Sequence, residues 1–139
     1  HMPFYVAPYF CFISIKKMNE GDPISIGMAV AGLQQFAKFI IVVDDDVNVF
    51  NINEVLWALT TRCRYDDDTV IIPWCKGNRL DPTTYNRMRT SRDSIVTKII
   101  FDATKKTGLT YDLPEPIVEP LIDEIDLSKF GINVGAYRT

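Results

Sequence analysis

The sequence predicts an α/β domain, a small mixed, mostly parallel sheet flanked by helices, with an irregular C-terminal tail. Three observations carry this expectation. Segments rich in β-branched and aromatic residues alternate with segments of helical apolar spacing, in the order β-α-β-α-β-loop-β. One strand segment, Lys38-Phe-Ile-Ile-Val-Val43, is apolar almost throughout, as a strand covered on both faces should be. Prolines at 114, 116 and 120 break up the region after Gly108.

Taken in order, Tyr9-Phe-Cys-Phe-Ile-Ser-Ile-Lys-Lys17 reads as the first strand. Asn19-Glu-Gly-Asp22 turns the chain, with Asp22 as N-cap and Pro23 at the first helical position, where its missing N–H costs nothing. Ile26, Ala29, Val30, Leu33 and Phe36 then recur at helical spacing and predict the buried face of a helix. Gly27 and Gly32 lower helix propensity, and close packing against a sheet is the reason expected for them. After the strand 38–43, Asn51-Ile-Asn-Glu54 has the form of a capping box, and Ile52, Val55, Leu56 and Leu59 define a second helix ending near Arg62. Thr69-Val-Ile-Ile-Pro73 predicts a third strand closed by its proline, residues 74–94 a long polar and basic loop, and Val96-Thr-Lys-Ile-Ile-Phe101 a fourth strand. Ile117 to Leu127 has the spacing of one short amphipathic helix.

Composition limits the chemistry. The 139 residues carry 15 Lys+Arg against 18 Asp+Glu, a net charge of −3, with 47% hydrophobic residues. That suits one globular domain, gives no electrostatic footprint for nucleic acid, and includes no segment that approaches the ~20 apolar residues of a membrane span. His1-Met2 reads as a cloning scar, which leaves residues 3–139 as a single domain with no histidine. A Ser-His-Asp or Cys-His unit then cannot be built within the chain. Cys11, Cys63 and Cys75 are odd in number and widely spaced, which disfavours zinc and points to free thiols. With no charged-then-apolar leader at the start, the expectation is a cytoplasmic protein.

Two clusters invite functional readings. Asp44-Asp-Asp46 follows the buried strand, where open α/β sheets bind ligands. It reads either as a hard-metal site of the kind used by nucleotide-sugar transferases, with Asp44 and Asp46 as ligands, as an acidic phosphoacceptor pocket, or as a solvated turn whose carboxylates cap backbone N–H groups or pair with bases. Lys76, Arg79, Arg87, Arg89 and Arg92 in loop 74–94 read as a phosphate or carboxylate contact or as a solvated surface. Trp57 and Trp74 are pocket or core aromatics.

The stretch Phe39-Ile-Ile-Val-Val-Asp-Asp-Asp-Val-Asn48 followed by Asn53-Glu-Val-Leu-Trp-Ala-Leu-Thr-Thr-Arg62 resembles the C-terminal domain of UbiD-family decarboxylases. Ile13-Ser-Ile-Lys-Lys17, Leu80-Asp-Pro82 and Phe101-Asp-Ala-Thr-Lys105 match in the same order, so the resemblance covers roughly residues 10–106. It implies a cytoplasmic carboxy-lyase that interconverts an aromatic or α,β-unsaturated acid and its decarboxylated product, using prenylated FMN with a divalent metal and K+. It implies N-terminal and flavin-binding domains as partners, a homo-oligomer, and a C-terminal domain that helps form the dimer and close the active site. No segment here matches the family's catalytic Arg, paired acids or metal site, so the chain is expected to be a fragment that holds no cofactor or metal and is inactive alone. The resemblance suggests Arg62 for a contact near the cofactor and Trp74 for an apolar wall of the substrate pocket. The competing expectations are a glycosyltransferase-like domain using Asp44 and Asp46, and a non-enzymatic interaction module.

Overall fold

The computed structural model describes residues 1–3, 5, 8–87 and 94–106, with the side chains of 85–87 excepted. The helix expected over 117–127, the tail, and Arg89 and Arg92 lie outside the described residues. Four strands form one sheet: β1 (Phe10–Ile15), β2 (Phe39–Asp44), β3 (Thr69–Lys76) and β4 (Ile95–Ala103), in the order β1-β2-β4-β3. Two helices cover it, α1 (Asp22–Leu33) and α2 (Ile52–Arg62), and a short 3-10 helix occupies Pro82–Arg87 within the segment expected to be loop.

β1, β2 and β4 are parallel, while β3 is an antiparallel edge strand on β4. This is the mixed, mostly parallel sheet expected from the sequence. The reversal follows from the end of α2, because Arg62 is tied to Asp44 and Asp46 at the C-terminal end of β2. β3 therefore starts at that same end and must run back the other way.

Strand pleating sorts the apolar side chains onto two faces. Phe12, Ile41, Val43 and Ala103 pack with Val55, Ala58 and Cys63 of the α2 side. Cys11, Ile40, Val42 and Ile100 pack with Ala31 and Ala37 on the α1 side. Full burial of each large aliphatic group stabilises the fold by roughly 1.5–3 kcal/mol.

α1 departs from the expected face. Pro23, Gly27 and Ala31 are its buried residues, whereas Ile26, Met28, Ala29 and Leu33 face outward, Leu33 at 87% exposure. The helix lies so close to the sheet that a Cβ on Gly27 would sit 2.5 Å from Cγ2 of Ile100, so only small residues fit the seam. Gly27 thus has the packing role expected of it. Gly32 does not, since a Cβ there would meet nothing within 4 Å. Gly21, rather than Asp22, is the N-cap. The Asp22 carboxylate instead accepts from the backbone N–H groups of Met18 and Asn19 at 2.9 and 2.8 Å, closing the preceding turn.

The C-terminal carbonyls of α1 are capped from the sheet. Lys98, 1% exposed, donates from Nζ to the carbonyls of Ala31 and Gln34 at 2.6 Å each. Burial depresses its pKa, the carbonyls at the negative end of the helix offset part of that cost, and Lys98 supplies the cation that the last turn of α1 lacks.

α2 has the cap the sequence announces, with a variation. Asn51 Oδ1 accepts from Asn53 N at 3.1 Å, while Glu54 reaches past Asn51 N to accept from Asn48 N at 2.9 Å and from Asn51 Nδ2 at 2.9 Å. Its buried residues are Val55 and Ala58, and Leu56 faces solvent.

β3 does not stop at Pro73. Its pairing with β4 gains one residue between Ile72 and Cys75, a bulge that holds Trp74 at φ 61°. Pro73 is tolerated because it stands at this irregularity on an edge strand.

Candidate functional site

The parallel strands deliver their C-terminal ends, and β3 its start, to one edge of the sheet. The residues gathered there are largely charged. The Arg62 guanidinium, 5% exposed, forms a fork on Asp46, with Nη1 to Oδ1 and Nη2 to Oδ2 both at 2.9 Å. Nη1 also reaches Asp44 Oδ2 at 3.1 Å, and the guanidinium lies over the Trp57 ring, 5.1 Å from its centroid. Such bidentate, charge-assisted pairs are the strong form of the ion pair. The hydrogen bonds from Arg62 hold the Asp46 carboxyl at about 2, well below the usual carboxylate range, against the opposing effect of partial burial.

The segment after β4 closes this cluster. Lys105 donates its backbone N–H to Asp44 Oδ2 at 2.7 Å and pairs through Nζ with Asp46 at 2.6 Å. Lys17, just beyond β1, donates to Thr104 Oγ1 at 3.1 Å and to the Lys105 carbonyl, and pairs with Glu20 at 2.8 Å. Asp102 Oδ1 accepts from the N–H and hydroxyl of Thr104 at 2.9 and 2.6 Å. Lys106 bridges Asp102 and Asp68 at 2.7 and 2.9 Å. Burial opposes the Lys106 charge, but these two hydrogen bonds outweigh it and its pKa is raised.

The structure thus brings Arg62, Asp44 and Asp46 together and leaves Asp45 exposed. Asp44 and Asp46 both pair with bases, and Asp44 also accepts a backbone N–H. Lys17, Asp68, Asp102, Thr104, Lys105 and Lys106 were not singled out as site residues. Four of them stand in the matched segments Ile13–Lys17 and Phe101–Lys105, so the residues that carry the family resemblance meet at this edge. Among the described residues no group of three or more His, Cys, Asp or Glu is arranged to hold a metal ion. Arg62 is spent on Asp46 and Asp44, so the cluster does not fit the phosphate cradle that a flavin mononucleotide would need.

Trp74 lies elsewhere, at the far end of β3, 74% exposed rather than in the core. The thiols are not poised as nucleophiles at Cys11 and Cys63, where burial raises the pKa, at Cys63 to about 11. At the opposite edge of the sheet, buried Asp81 pairs with Lys38 at 2.8 Å and accepts from Thr83 N and Oγ1, which ties Leu80-Asp-Pro82 to the start of β2.

With fold and cluster in place, the chain can be set beside known proteins. The family model described as the 3-octaprenyl-4-hydroxybenzoate carboxy-lyase C-terminal domain matches residues 1–103. The chain belongs to this UbiD C-terminal domain family. It is 37% identical over 92 residues to the anhydromevalonate phosphate decarboxylase of Methanothermobacter thermautotrophicus, a match covering 66% of this chain and 20% of that protein. The UbiD-class enzyme HmfF from Pelotomaculum thermopropionicum, solved in complex with FMN, superposes with a TM-score of 0.67 at 35% identity, over 88% of this chain and 26% of that one. Vanillic acid decarboxylase from Sedimentibacter hydroxybenzoicus, in a closed form, gives 0.62 at 31% identity, over 91% of this chain and 25% of that one. The chain thus spans a fifth to a quarter of the length of these relatives. The assignment displaces the nucleotide-sugar reading of Asp44 and Asp46. No helix among the described residues is long and apolar enough to cross a membrane.

Proposed function

We propose that this chain is the C-terminal domain of a cytoplasmic, prenylated-FMN-dependent carboxy-lyase acting on an aromatic or α,β-unsaturated acid. Within that enzyme it closes the active site and helps form the dimer. The observation that carries the reading is the family match across residues 1–103. The FMN complex of HmfF and the closed form of vanillic acid decarboxylase support the cofactor class and the closing role.

In this reading the flavin, its divalent metal and K+ are held by the preceding domains. What the present chain supplies is position and surface. Arg62 acts as a positioning residue, because its fork fixes the loop after β2 to the end of α2, while Lys105 joins the same carboxylates to the segment after β4. Trp74 offers an exposed aromatic ring for an apolar wall. Ile26 and Leu33, one above the other on the exposed side of α1, offer an apolar strip suited to a subunit contact.

The test is a pair of preparations made with a flavin prenyltransferase co-expressed. The 139-residue chain is expected to come out colourless and to decarboxylate nothing. The longer gene product is expected to carry flavin and to release CO2 from a panel of cinnamic, hydroxybenzoic and short unsaturated acids. A stoichiometric yellow chromophore on the short chain, or a longer product inert toward every class of acid, overturns the reading.

A further inference from the structure

We draw no further inference here: the strongest candidate, the apolar row of Phe10, Phe39, Ile99 and Ile71 that crosses the α2 side of the sheet beside the outward Trp74, is an unpartnered face, and nothing in the structure shows what covers it.

Discussion

The two halves of the α2 face of the sheet are built on opposite principles. At the C-terminal edge, Arg62 pairs through Nη1 and Nη2 with Asp44 and Asp46, to which Lys105 also binds, Arg62 Nε is buried without a hydrogen-bond partner among the described residues, and Lys17, Thr104, Asp102, Lys106 and Asp68 extend the network. At the N-terminal half, Phe39, Ile71 and Trp74 meet solvent with no partner that covers them among the described residues. The edge where α/β folds place their ligands is here filled by ion pairs within the chain.

The contrast can be broken most forcefully at Arg62. Arg62→Ala leaves two carboxylates facing each other beside the Lys105 segment, and the expected loss is about 3 kcal/mol, read as a lower urea midpoint. Arg62→Lys should recover only part of it, because an ammonium cannot form the fork. A loss under ~0.5 kcal/mol would mean that the cluster does not hold the edge together.

A smaller effect is expected from acid. Asp46 has a folded pKa of about 2 against an ordinary 3.8, so its contribution is fully present above the ordinary value and is lost as pH falls through about 2. Stability should therefore decline over that acid window. Asp46→Asn should flatten this part of the pH profile while lowering stability at neutral pH. A profile unchanged by the substitution would remove Asp46 from the account.

On the open half the signs reverse or vanish. Trp74→Gly should stabilise the short chain by roughly 1 kcal/mol, since glycine adopts φ 61° without strain and little packing is lost. Ile71→Ser should change the stability of the short chain by no more than ~0.5 kcal/mol, as for other exposed sites. A large loss from either substitution would show that Ile71 and Trp74 belong to this domain's own core.

How much of this was legible in the sequence differs by residue. The strand runs, the Asn51 cap and the end of α2 at Arg62 are local signals, and each stands close to where it was expected. The direction of β3 is not local, because it depends on Arg62 turning back to Asp44 and Asp46 across 18 and 16 positions. The buried side of α1 was misread because apolar residues surround that helix, and only the contact of Gly27 with Ile100 decides which side faces the sheet. Lys98 reads as a solvent-facing strand position until the carbonyls of Ala31 and Gln34 are placed above it. In the site, the pairing of the Asp triplet with bases could be anticipated from mutual repulsion of like charges, but its partners come from α2 and the segment after β4, which no spacing rule joins. The outward turn of Trp74 needs a one-residue slip in strand pairing, which Pro73 hints at without specifying.

The central claim, that the Asp44–Asp46 carboxylates join the end of α2 to the segment after β4 through Arg62 and Lys105, is tested most directly by hydrogen exchange. Amide exchange is compared between the 139-residue chain and its Arg62→Ala variant, peptide by peptide. The account predicts faster exchange across residues 44–47 and 102–106 in the variant, with residues 69–76 exchanging as they do in the parent chain. Unchanged exchange at 44–47 and 102–106 would contradict it.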